Sequence, residues 1–186
     1  MTQDRKPQRK SQAYLMDALH KEAFPFLASK GFLQDKINRM GAIDFRRIVN
    51  DKVECLDIQL DKHGRAAFKV NIAEGSINGV PQFGGGMVLG AELRTYTCKG
   101  EKAILMERPN VFLTIASFGF YGWFSVRRGW FLGAEEAAFR TIRCFINYFP
   151  ECENWWRDKS YGPHLLRNEG SEQLERVLEQ RYGPLN

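Results

Sequence analysis

The chain has 186 residues, 44% of them hydrophobic, which suits one domain with a real core and excludes a low-complexity or disordered protein. No apolar run approaches the ~18 residues of a membrane span, and the polar first ten residues lack the apolar stretch of a secretory signal, so a cytoplasmic protein without membrane contact is expected. The net charge of +5 is unevenly placed: Arg5, Lys6, Arg9 and Lys10 against Asp4 leave only +2 for the remaining body, which weakens the case for a nucleic-acid-binding protein.

Residues 1–10 therefore read as a disordered basic arm. Ser11 to Lys30 predicts the first helix, capped by Ser11, with Leu15, Ala18, Leu19, Ala23, Phe26 and Leu27 on one stripe. Pro25 should kink it or start a new turn, and Gly31 should end it in the left-handed conformation.

Strand signals follow at Phe32–Lys36 and Ile43–Val49, the second closed by a turn at Asn50-Asp51-Lys52. Val53–Asp61 alternates, with Leu56, Ile58 and Leu60 opposite Cys55, Asp57, Gln59 and Asp61. Ala66–Ala73 alternates likewise, and the turn His63-Gly64-Arg65 joins the two in an antiparallel hairpin. Six glycines in Gly75–Gly90 predict a mobile loop. Further strands are expected at Leu93–Cys98, Val111–Ser117 and Tyr121–Val126. Gly133–Phe149 predicts a helix stopped by Pro150, and Ser171–Arg181 a short final one.

This order predicts an α+β fold: an antiparallel β-sheet with an N-terminal helix and C-terminal helices packed on one face. Residues 11–150 would form the domain, and residues 151–186 a helical extension packed on it.

Most chemical motifs are missing. Gly84-Gly85-Gly86 is not followed by the Lys-Ser or Lys-Thr of a P-loop, and His20, His63 and His164 have no metal-ligand spacing. The four cysteines lack C-x-x-C pairs; Cys55 and Cys144 suit core positions, and a Cys144–Cys152 bridge stays open. No cofactor is expected, and an enzyme is disfavoured.

Two groups of residues could carry binding. The hairpin should project Asp57 and Gln59 beside Lys69 and Asn71. Carboxylates next to a lysine could hold a divalent ion in a nucleic-acid-processing enzyme using Asp57, Asp61 and Lys69. A solvated sheet face gives the same alternation and is the preferred reading. The second group lies in an aromatic stretch with seven aromatic residues between Phe118 and Phe131. Alternation there places Phe124 in the core and leaves Tyr121 and Trp123, with Arg127 and Arg128, on the outside, where they suit base stacking or a protein interface. The pair Trp155-Trp156 reads as a packing cap on a core edge.

Four pieces in order carry a family resemblance: Pro25-Phe26-Leu27-Ala28-Ser29-Lys30-Gly31-Phe32, Leu56-Asp57-Ile58-Gln59, Phe68-Lys69-Val70-Asn71-Ile72, and Gly122-Trp123-Phe124 before a late helix. Over roughly residues 14–150 the chain resembles the family called domain of unknown function 4304. The resemblance implies a small bacterial α+β domain, singles out Gln59 and Asn71, and brings no catalytic roles. The expectation is a binding protein with a protein partner, of which an immunity-type toxin inhibitor is one form. A metal-dependent enzyme and a weak, non-specific nucleic-acid binder are the alternatives.

Overall fold

A computed structural model describes residues 5–35, 41–82, 85–107, 122–127 and 133–168, with side chains from Lys10 onward. The expected strands at Val111–Ser117, the final helix at Ser171–Arg181, and residues Tyr121 and Arg128 fall wholly or partly outside the described residues.

The first helix, α1, runs Arg5–Ala18. It starts earlier than Ser11, so Arg5 to Lys10 are helical rather than an irregular arm. Pro7 is tolerated because it sits in the first turn, where backbone N–H groups have no intrahelical acceptor. Ser11 is buried within the helix and does not cap it. A π-turn at Leu19–Ala23 leads into α2, Phe24–Ser29, with Pro25 in its first turn. The expected irregularity at Pro25 thus takes the form of a π-bulge just before it. Gly31 has φ +83 and closes the helix as expected.

Strands β1 (Leu33–Gln34), β2 (Ala42–Val49), β3 (Lys52–Leu60) and β4 (Ala67–Ser76) pair antiparallel in succession. Asn50-Asp51 makes the β2–β3 turn, with Asn50 at φ 56, and Gly64 at φ 78 serves the β3–β4 turn. The glycine-rich segment contains a small hairpin of β5 (Val80–Pro81) and β6 (Met87–Val88). Three short strands complete the sheet. They are β7 (Ala103–Leu105) and β8 (Phe124–Ser125), both pairing with β4, and β9 (Leu165–Arg167), pairing with β7. The described residues thus form a seven-stranded antiparallel sheet, as the α+β expectation required. Leu93–Cys98 is not one of its strands; it is turn structure following a 3-10 helix at Gly90–Glu92.

Helix α3 spans Ala134–Asp158 and passes through Pro150 instead of stopping there. Proline inside a helix costs about 3 kcal/mol. Here its ring faces solvent, while Phe149, Cys152, Trp155 and Trp156 continue the buried face beyond it. Each large apolar side chain so buried contributes ~1.5–3 kcal/mol, which outweighs the proline. Trp156 also donates its indole N–H to the Ala73 carbonyl at 3.0 Å, tying the last turns to β4. The tryptophan pair therefore packs, as expected, but from within the helix.

One face of the sheet carries Ile43, Phe45, Leu56, Ile58, Phe68, Val70 and Ile72 against α1, α2 and α3. Phe124 stacks on Phe68 at 5.0 Å and meets Phe145 edge-on at 6.1 Å. At one margin of this core Arg47 is clamped between Glu54 at 2.6 Å and Glu153 at 2.5 Å, and lies over the Phe32 ring at 4.6 Å. The opposite face is covered in part: from the segment after β4, Val80, Leu93 and Cys98 pack on Val53, Cys55 and Ala73.

Candidate functional site

The hairpin residues singled out from the sequence share this second face. Strand pairing sets Asp44 opposite Asp57 and Asp57 opposite Asn71, with Gln59 opposite Lys69 in the next row. Asn71 Nδ2 donates to Asp57 Oδ1 at 2.7 Å and to Gln59 Oε1 at 3.3 Å. The structure thus brings Asp57, Gln59 and Asn71 together, with Lys69 beside them.

The preferred reading of a solvated face is overturned. Asp57 is only 6% exposed, and Thr95 from the covering segment donates its hydroxyl to Asp57 Oδ2. Burial pushes the Asp57 carboxyl up to about 6, against the hydrogen bonds from Thr95 and Asn71; the Asp44 charge raises it further and Lys69 opposes. Lys69 is shifted the other way: burial lowers its ammonium below the ordinary lysine range, and the Asp57 charge only partly restores it. Its Nζ lies 5.6 Å from the Trp123 ring centroid.

Asp61 does not join this group. Its carboxylate accepts hydrogen bonds from the Arg65 guanidinium at 2.5 and 3.0 Å and from the backbone N–H of His63 at 2.8 Å. Burial opposes its ionisation, yet these bonds prevail and hold the carboxyl below its ordinary value. Asp61 braces the β3–β4 turn. Among the described residues, no three His, Cys, Asp or Glu side chains stand close enough to hold a metal ion.

The aromatic stretch divides as alternation requires, but with a different outcome. Phe124 is in the helix-side core, as expected. Trp123 takes the other face and is still only 6% exposed, packed with Ala67 and Met106. It is a buried residue and not a surface anchor. Arg127 is exposed and lies 3.6 Å from Glu107.

The exposed apolar groups are elsewhere. Leu33 (71% exposed), Ile48, Met87, Leu89 and Tyr96 (53% exposed) are large hydrophobic side chains in solvent. Tyr96 lines a depression whose lining residues neighbour several of the others in strand pairing or in sequence. Leu33 pairs with Arg46 across β1–β2, and Ile48 follows on the same side of β2. Arg46, Val88, Arg94 and Tyr96 line one shallow depression, with Met87 and Leu89 flanking Val88. Arg46 reaches Asp35 at 2.8 Å, while Arg94 reaches Asp35 at 3.4 Å and the Tyr96 hydroxyl at 3.2 Å.

Sequence reasoning missed this region because Leu33 and Tyr96 are isolated apolar residues in unremarkable segments. It also missed His164, whose ring stacks on Tyr148 at 3.6 Å and whose Nδ1 lies 2.6 Å from Glu151. Only a Glu on a long α3, thirteen residues before the histidine, could have signalled that pair, and Pro150 concealed the helix.

No helix among the described residues is long and apolar enough to cross a membrane. No family model, curated protein or solved structure matches the chain.

Proposed function

We propose that the chain is a non-enzymatic binding protein whose protein partner docks where the segment of Val88, Arg94 and Tyr96 meets the β1–β2 edge. One observation supports this reading: exposed Tyr96 lines a depression with Arg46, Val88 and Arg94, while exposed Leu33 pairs with Arg46 and exposed Met87 and Leu89 flank Val88 in the chain. Exposed apolar patches rimmed by polar groups favour protein association, and tyrosine and arginine are enriched among the residues that dominate such binding. Asp35 already orders both arginines, which lowers the entropy lost when a partner arrives.

An immunity-type inhibitor of a bacterial toxin, acting in the cytoplasm, is the concrete form of this proposal. Such a protein needs a firm recognition surface and no reactive group. The resemblance to the domain of unknown function 4304 family fits this reading and adds no activity of its own. The metal-dependent alternative requires Asp57, Asp61 and Lys69 in one site; with Asp61 committed to Arg65 and its own turn, no observation favours it.

The experiment is cross-linked capture from the native host, followed by mass spectrometry, with wild type run beside Tyr96→Ala and Leu89→Asp. A stoichiometric protein held by wild type and released by both folded variants supports the reading. A partner held equally by all three would place the interface elsewhere.

A further inference from the structure

The covering segment is fastened to β3 by more than the Thr95–Asp57 bond. Three residues further on, Cys98 Sγ lies 3.7 Å from Cys55 Sγ, on the same face of β3 as Asp57. Both thiols are completely buried, walled by Val53, Ala73, Val80 and Leu93. No disulfide joins any of the four cysteines. A disulfide needs its sulfurs at about 2 Å, so the pair lies within a small side-chain movement of bonding.

We propose that Cys55 and Cys98 form a redox-modification site, in which hydrogen peroxide converts the two thiols into a disulfide that locks the segment of Leu93, Thr95 and Cys98 onto the sheet. The inference stands on this thiol pair and does not depend on the docking reading.

The two sulfurs are not equivalent. The hydrogen bond with Cys55 lowers the Cys98 thiol against the effect of burial, and the Lys102 charge lowers it further. The same bond, together with burial, pushes Cys55 up. Cys98 is therefore the attacking thiolate. Its sulfur takes one peroxide oxygen, the O–O bond breaks, and hydroxide leaves. Cys55 Sγ then attacks the resulting sulfenic acid. The S–S bond forms, the S–O bond breaks, and the oxygen leaves as water with the Cys55 proton. Two thiols lose two electrons and two protons, and one peroxide becomes two waters.

Access comes from local opening of the segment, which requires less free energy than global unfolding. The product closes a long loop between positions 43 residues apart, so it restrains the unfolded chain as well as the cover.

The test treats the full chain with hydrogen peroxide at a dose that oxidises Cys144, then alkylates the remaining thiols after denaturation and maps peptides without reduction. The expected product is a Cys55–Cys98 linked peptide, lighter by two hydrogens than its two parts and separated by dithiothreitol. The oxidised protein should melt several degrees higher, and reduction should reverse the shift. In Cys98→Ala the link should vanish and Cys55 should be recovered alkylated. Recovery of both residues as alkylated thiols, as sulfinic acids, or linked to other cysteines would overturn the site. An unchanged melting temperature in the linked protein would overturn the lock. The wild-type map requires no variant, so a poorly folding Cys98→Ala leaves the test decisive.

Discussion

Asp57 and Thr95 stand 38 residues apart in the chain and meet through a hydrogen bond from the threonine hydroxyl to the carboxylate. This contact buries Asp57 on an alternating polar strand. The sheet is packed against helices on one face, and part of the other lies beneath the segment that carries Val80, Leu93, Thr95 and Cys98. Leu89 and Tyr96 on that segment remain exposed.

Asp57 should leave a pH signature. The folded carboxyl titrates at about 6, against an ordinary 3.8. Below 3.8 both folded and unfolded chains hold the proton. Between the two values the unfolded chain has released it while the folded chain retains it. The contribution is therefore fully present below 3.8 and is lost as pH rises through about 6, a change of ~3 kcal/mol at 1.4 kcal/mol per unit. Asp57→Asn removes the titration and can keep both partners, accepting from Asn71 and donating to the Thr95 oxygen. Urea unfolding at pH 4 and pH 7 should show the variant gaining on wild type by most of that amount. A difference independent of pH would contradict the buried carboxyl.

Gly90 holds the cover in place by having no side chain. A Cβ there would lie 2.3 Å from the Ile77 carbonyl oxygen and 2.9 Å from its Cα. Backbone must move to admit it, at a cost of ~1–3 kcal/mol. In Gly90→Ala, hydrogen exchange should quicken at residues 87–98 while β3 and β4 keep their protection. Uniform acceleration throughout the sheet would show that the cover is not a separate unit.

Arg47 has a different kind of importance. It neutralises buried Glu54 and the α3 residue Glu153, and stacks on Phe32. Arg47→Met keeps the packing but strands Glu54, and should cost ~3–5 kcal/mol. Adding Glu54→Leu should recover at least half of that loss. Chemical denaturation of the two single variants and the double variant measures the coupling. Additive losses would mean that the clamp is not a unit.

The parts of this fold legible in the sequence are those set by local pattern. Leu56, Ile58, Phe68 and Val70 marked the helix-facing side of the β3–β4 hairpin, and Gly31, Asn50 and Gly64 marked turns. What stayed hidden depends on distant contacts. Asp57, Gln59 and Asn71 look solvated because a period of two reports only which face a residue takes, not what covers that face. Trp123 was misplaced for the same reason. β7 and β9 are three residues each, too short for any periodicity. Pro150 suggested a helix end because local propensity does not register Trp155 and Trp156 packing beyond it. The apolar patch at Leu33, Leu89 and Tyr96 assembles residues from separate segments, so no window of sequence contains it.

The docking surface should be separable from stability. Leu89→Asp and Tyr96→Ala change exposed side chains and should alter unfolding free energy by less than about 0.5 kcal/mol. Matching urea midpoints and slopes to wild type checks this. A large loss would mean that these side chains hold the cover rather than offer a surface.

The most direct measurement is the affinity of the captured partner for wild type and for the Leu89→Asp, Tyr96→Ala double variant, by titration calorimetry. The binding account predicts a single stoichiometric protein partner and at least a hundredfold weaker binding by the folded variant, equivalent to ~2.7 kcal/mol. No stoichiometric partner, or equal affinity for the two proteins, would contradict it.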